Sequence, residues 1–168
     1  MKAFTLHQPW ASLAAVGVKK METRSWAPPI ADVNQRIAIH AAKRPAKIDE
    51  LPQGVSWPWA RDLPLGEIVA TAMLRDALQV KLILNVTGHA RCTNIEGKDY
   101  VVTPDVYGDF TPGRWVWLLD DVMQVKPGIP CRGFQGLWGL PEEIEEQLKA
   151  EEAAHNEAVN EWFTQYRI

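Results

Sequence analysis

The run Lys19-Lys-Met-Glu-Thr-Arg-Ser-Trp26 sets three cations, one carboxylate and an indole within eight residues, directly behind Gly17. An extended backbone there turns Glu22, Arg24 and Trp26 to one face and Thr23 and Ser25 to the other, with Lys19 at the bend free to swing either way. A carboxylate held between a lysine and an arginine stays ionised and braces both cations. The set is rigid and net positive, which suits a phosphate or a polar base edge. Trp26, or Trp10 upstream, could stack on a base, an interaction worth ~1–3 kcal/mol. Charge alone does not decide the matter, because solvated cations that offset the negative end of a helix dipole have the same composition.

Other residues could extend such a site. His40 is the best general acid–base candidate by residue type, although a hydrogen-bonded strand histidine is the simpler expectation, because no second catalytic type is fixed near it by sequence. Lys43, Arg44 and Lys47 form a second basic group beside prolines; bordering the same cleft, they would meet backbone phosphates. Trp57 and Trp59 bracket Pro58, either as core or as a stacking wall. The four histidines share no metal-ligand spacing, so no metal is expected. Gly108 and Gly113 lack the Lys-Ser/Thr of a phosphate loop, and no serine lies in a nucleophile elbow. No cofactor is expected.

The elements that must position these residues follow from periodicity. Residues 3–6 read as a strand. Pro9 begins a short helix in which Trp10, Leu13 and Ala14 share a face, with Gly17 in the left-handed position that ends it and His7 helping to cap it. Met21 to Trp26 is extended, and Gln35 to Ala42 is the cleanest strand. Residues 43–64, with four prolines, read as an irregular connection. Leu65 to Leu74 is an apolar, central strand; 81–86 fits strand or helix; 88–113 reads as loops around a strand at 100–102. Strands at 114–119 and 122–125 follow, then a glycine-rich closing strand at 133–140. From Pro141 a helix runs to the end, with Ile144, Leu148, His155, Val159 and Phe163 near four-residue spacing. About six strands and two helices make an α+β domain on a small, curled, mostly antiparallel sheet. Residues 1–140 form the domain and 141–168 an acidic helical extension.

A length of 168 residues with 46% hydrophobic and 23% charged residues fits one globular domain. No apolar run reaches the ~18 residues of a membrane span, and the N-terminus lacks a signal-peptide core. The two cysteines, Cys92 and Cys131, suit a reduced, cytoplasmic protein. The net charge of −3 hides a balance of +6 over residues 1–47 and −6 over 142–168. The acidic helix could therefore screen the basic face, though packing or homodimerisation through Val159, Trp162, Phe163 and Tyr166 is the simpler expectation.

His7-Gln-Pro-Trp-Ala-Ser12, Gly17-Val-Lys-Lys-Met-Glu-Thr-Arg24 and Ser25-Trp26 together resemble the ASCH domain family, activating-signal-cointegrator homology, whose pattern is G-x-K-x-x-E-x-R behind a QPWAS-type helix. In detail the stretch is most similar to the coactivator branch of that family. The likeness continues through Arg36 to Pro45 and, more loosely, through 65–74 and 115–130. It implies a PUA-like fold, a small mixed or antiparallel β-barrel with peripheral helices. It also implies binding of RNA, a single strand or a modified nucleotide in a cleft lined by Lys19, Lys20, Glu22 and Arg24, walled by Trp10 and Trp26, with His40, Lys43 and Arg44 nearby. One branch hydrolyses N4-acetylcytidine with G-x-K-x-x-T-x-R, using the lysine as base and the threonine as nucleophile. Glu22 stands at the threonine position, and alternation turns the Thr23 hydroxyl away. An amide hydrolase would then use Lys19 and Glu22 with water. A metal-independent ribonuclease, or a protein-interaction module using the acidic helix, are further alternatives.

Overall fold

A computed structural model describes residues 1–44 and 62–165; Lys47, Trp57, Trp59, Tyr166 and most of the 43–64 connection lie outside the described residues. The order of elements is β1 (Lys2–Leu6), α1 (Trp10–Ala15), β2 (Met21–Arg24), a 3-10 turn at Ile30–Asp32, β3 (Gln35–Ala41), β4 (Glu67–Ile83), β5 (Ala90–Asn94), β6 (Asp99–Val102), β7 (Trp115–Pro130), β8 (Leu137–Gly139) and α2 (Glu142–Gln165). The eight strands form one mixed sheet in the order β2-β7-β4-β3-β1-β8, and β5 with β6 extends from the far end of β4. Only β1 and β3 pair in parallel.

Two strands are much longer than their hydrophobic patterns suggest. β4 absorbs both the 65–74 strand and the undecided 81–83 segment, and β7 fuses the strands expected at 114–119 and 122–125. Three register shifts interrupt the β4–β7 ladder, at Ile68/Ala70, Thr71/Met73 and Leu74/Asp76. The first leaves three extra residues on β7, and the other two leave one extra residue each, on β7 and then on β4; such irregularities increase local twist. Bulges break the period-two pattern, which is why each long strand reads as two short ones. Strand β5 was masked in the sequence by its polar Arg91, Thr93 and Asn94.

The curl brings β1 back toward β2, although three strands separate them in the sheet. Phe4 of β1 packs edge-on against Trp117 of β7, with ring centroids 5.8 Å apart, and Trp26 meets the same indole at 4.9 Å. Such pairs add ~0.5–1.5 kcal/mol each beyond area burial. Trp117 is fully buried, and the main core gathers around it from Leu6, Ala14, Ile37, Ile39 and Leu74. The sheet does not close into a hydrogen-bonded barrel: β2 and the three-residue β8 are its two ends. The expected barrel is thus an open, strongly curled sheet.

Among the described residues, the buried contacts of helix α2 lie in its first turns. Leu148 is buried with Ile144 beside it against Trp138, Val125 and Ile129. Arg36 of β3 pairs with Glu152 at 2.8 Å, and Glu145 takes both Lys149 at 2.7 Å and the N-terminal amine. The hydrophobic spacing that continues to His155 and Val159 has no core beneath it, since both are exposed. Both cysteines are free thiols. No helix among the described residues is long and apolar enough to cross a membrane.

Among the described side chains of α2, Leu148 alone is fully enclosed, at 2% exposure. Leu148→Ala should therefore cost about 2–4 kcal/mol in urea unfolding, whereas Glu157→Ala on the exposed distal half should stay within ~0.5 kcal/mol of the parent.

Candidate functional site

The site begins at the end of α1. Gln8 Oε1 accepts the Ser12 N–H at 3.0 Å, and its Nε2 donates to the Pro64 carbonyl at 2.8 Å. The capping side chain is thus Gln8 and not His7, whose Nδ1 donates instead to the Arg44 carbonyl at 2.8 Å. At the other end Gly17 takes φ +73°, a conformation costly for any residue with a Cβ. The N–H groups of Val18 and Lys19 both return to the Leu13 carbonyl, at 2.9 and 3.0 Å. This closes the helix and aims Lys19 inward.

Lys19 is 1% exposed. Its ammonium pairs with Glu22 Oε2 at 3.0 Å and donates to the carbonyls of Met21 and, at 3.3 Å, Tyr107. Three protons meet three acceptors, which satisfies a lysine completely. Glu22 Oε1 lies 2.9 Å from Arg24 Nε, and Arg24 donates through Nη2 to the Thr5 carbonyl at 3.0 Å. The guanidinium also lies over the Phe4 ring, 5.8 Å from its centroid. The acid and both cations therefore converge, but they are layered: Lys19 is behind, Glu22 in the middle, and Arg24 outermost.

Two adjoining cavities open in front of this triad. The smaller, about 470 Å³, is bordered by Leu6, Trp10, Glu22, Thr23, Tyr107 and Asp109. The larger, about 1380 Å³, is bordered by Trp26, His40, Lys43, Arg44, Arg132 and Phe134. Thr5, His7 and Arg24 line both, so the two are one cleft with Arg24 at its waist. Of the residues expected at the site, Trp10, Glu22, Arg24, Trp26, His40, Lys43 and Arg44 border this cleft. Lys19 and Lys20 border neither part. Lys19 is a buried brace, and Lys20 lies beside Asp120 of β7. The Asp120 carboxyl is held below its ordinary pKa chiefly by the Asp121 N–H, then by Arg75, with Lys20 the least of the charges acting on it. Strand β2 pairs with β7 along one edge, so only its other edge is free to face the cleft.

Thr23 also borders the smaller cavity, which alternation alone did not predict. Its hydroxyl accepts the Asp109 N–H at 2.9 Å, and a Cβ at Gly108 would come within 2.9 Å of its methyl. The loop around Tyr107–Asp109 thus wraps over β2 and becomes a cavity wall. Asp109 is kept ionised first by the Thr111 hydroxyl, then by the Thr111 N–H, and it pairs with Arg114 at 3.2 Å. The smaller cavity therefore carries two carboxylates, Glu22 and Asp109.

His40, 2% exposed, belongs to the larger cavity. Its Nε2 donates to the Cys131 carbonyl at 3.0 Å, which leaves Nδ1 as an unprotonated, unpartnered atom. Burial pushes its pKa down, and the Cys131 bond offsets this only in part. A Cβ at Gly133 would lie 2.4 Å from Nδ1 and 2.9 Å from Thr5 Oγ1, so only glycine fits there. No cluster of three His, Cys, Asp or Glu side chains suited to a metal occurs among the described residues.

The fold and this motif can be set beside known proteins. The ASCH domain family model matches residues 4–163. The chain belongs to the ASCH domain family. Its PUA-like fold is shared with the crystal structure of ASCH from Zymomonas mobilis, at 18% identity over 89% of this chain and 93% of that one, with a TM-score of 0.53. Two single-substitution variants of the Zymomonas mobilis protein align equally well, at 18% identity and TM-score 0.53, covering 96% and 94% of those chains. No curated protein matches the chain.

Within this ASCH domain, sequence reasoning missed Thr5, Tyr107, Asp109, Arg132, Gly133 and Phe134. Thr5 and Tyr107 act through backbone carbonyls, which no side-chain pattern marks. Arg132-Gly-Phe134 carries a faint signal, an arginine and an aromatic around a glycine, but the closing strand expected from Gly133 begins only at Leu137.

Two outcomes are expected. Lys19→Met should cost about 3–5 kcal/mol in chemical unfolding, because it leaves the buried Glu22 carboxylate short of a partner. His40 is neutral in the folded chain, so the unfolded chain binds the extra proton first. Its contribution is full above about pH 6.5 and is lost as pH falls below that value toward the lowered folded pKa. A His40→Gln variant should show a flatter decline in unfolding free energy between pH 7 and 5.

Proposed function

We propose that this ASCH domain binds single-stranded RNA or DNA, or a modified nucleotide, in the cleft in front of Glu22 and Arg24. The observation that carries the reading is the charge of the larger cavity. Arg24, Lys43, Arg44 and Arg132 line it, and no carboxylate does so among the described residues. Cations on a concave, aromatic-walled surface are what a phosphodiester backbone with unstacked bases requires. The smaller cavity complements this. Glu22 and Asp109 offer acceptors to the amino edge of a base, as carboxylates do for cytosine N4, and Trp10 supplies an apolar wall.

The amide-hydrolase reading has less support. A general base needs a lone pair, and Lys19 is an enclosed ammonium already donating to Glu22, Met21 and Tyr107. Glu22 alone would have to activate water while holding two cations.

The test is fluorescence anisotropy with labelled single-stranded RNA and DNA across a salt series. Four phosphate contacts, at Arg24, Lys43, Arg44 and Arg132, predict a slope of log affinity against log salt near about −3. The Lys43→Ala/Arg44→Ala double variant should weaken binding and bring the slope closer to zero by about 1.4. Incubation with N4-acetylcytidine should leave it intact; deacetylation that depends on Glu22 would favour the hydrolase. Affinity that is absent, or indifferent to salt, would defeat the binding reading.

A further inference from the structure

The segment 131–136, between β7 and β8, forms one wall of the larger cavity. It is not strand, yet three interactions fix it. His40 Nε2 donates to the Cys131 carbonyl at 3.0 Å. Thr5 Oγ1 donates to the Phe134 carbonyl at 2.9 Å and itself receives the Trp138 indole N–H at 3.3 Å. Between these anchors Gly133 sits against the His40 ring, where a Cβ would lie 2.3 Å from Cε1. The backbone is held at Cys131, Gly133 and Phe134.

What this rigid segment presents to the cavity is an exposed aromatic ring beside a cation. Phe134 is 50% exposed although it is a large apolar side chain. The Arg132 guanidinium lies over its ring, 5.2 Å from the centroid, and Trp138 supports it edge-on at 5.4 Å. A phenyl ring stacked with a guanidinium is a surface on which a base can lie flat. Thr5 joins this surface to the first subsite. Its carbonyl takes Arg24 while its hydroxyl takes the Phe134 carbonyl. Arg24 and Phe134 are thus linked through a single residue by two hydrogen bonds, which places the two subsites side by side in one cleft.

We infer that Arg132 and Phe134 form a second nucleotide subsite, so that the ligand of the cleft is an oligonucleotide and not a free nucleoside. One base occupies the smaller cavity at Glu22, its phosphate meets Arg24, and the neighbouring base stacks on Phe134 with Arg132, Lys43 and Arg44 around its phosphates. Because the segment is pinned before any ligand arrives, the platform adds affinity without a cost of ordering it. This rests on the nucleic-acid-binding reading and specifies what that reading leaves open, the length of strand recognised.

The experiment compares cytidine and adenosine monophosphates with labelled dinucleotides and octanucleotides on the full chain, for the parent, Phe134→Ala, Arg132→Ala and Arg24→Ala. The parent should bind the dinucleotide at least about tenfold more tightly than either mononucleotide. Phe134→Ala should remove about tenfold of the dinucleotide and octanucleotide affinity and leave mononucleotide binding unchanged, while Arg24→Ala weakens all of them. Since Phe134 is half exposed, thermal unfolding should be little altered, and Phe134→Tyr should restore binding. Equal affinity for mononucleotide and oligonucleotide would overturn the inference, as would oligonucleotide binding that needs Arg24 but ignores Phe134 and Arg132. In either case the binding reading itself survives. If no nucleotide of any length binds, both fall together.

Discussion

One buried carboxylate holds the site together. Glu22 lies on a four-residue strand at the end of the sheet, where backbone pairing on one side alone would leave the chain weakly placed. Its two oxygens are claimed by Lys19 from behind and Arg24 from the front. The negative charge is what allows a lysine to be enclosed, and the enclosed lysine then draws in the Tyr107 carbonyl and fixes the wall of the smaller cavity. Arg24, oriented by the same carboxylate, reaches across to the Thr5 carbonyl. A single acid thus links β2, the 105–109 loop and β1. Pairs of this kind contribute more to specifying one arrangement than to net stability, because desolvation opposes the attraction.

The sheet supplies the geometry on which that link depends. The bulges of β4 and β7 increase the twist until β1 faces β2, four places away in strand order. The sheet stays open, and the cleft occupies the space in front of the facing strands. Thr5 serves both halves, with its carbonyl on Arg24 and its hydroxyl on Phe134. The acceptors Glu22 and Asp109 collect in the smaller half and the cations Lys43, Arg44 and Arg132 in the larger. That separation matches the two ends of a nucleotide, a base edge that can donate and a phosphate that attracts cations.

The opposed charges of the chain ends have a more modest consequence than their size suggests. Helix α2 engages Arg36 and the N-terminal amine, and none of its described residues borders the cleft. Its acidic residues do not cover the basic surface. Local pairing decides the outcome, since exposed charges farther apart than ~8–10 Å are largely screened at physiological salt.

The sequence by itself determined the family, the short helix ended by Gly17, the extended Met21–Arg24 segment and the convergence of Lys19, Glu22 and Arg24. These are local matters: a left-handed glycine, a period of two, and opposite charges within reach of one another. Only the tertiary structure decided which of those charges meets the outside. Lys19 was expected in the lining and is enclosed, because Tyr107, 88 positions away in sequence, supplies its third acceptor. Lys20 was expected beside it and lies with β7. Thr5, Gly133 and Phe134 belong to the cleft through backbone carbonyls and a close approach to His40, and such contacts carry no signature in residue type. Long-range pairing across a bulged sheet creates them, and a one-dimensional pattern records neither the bulges nor the partners.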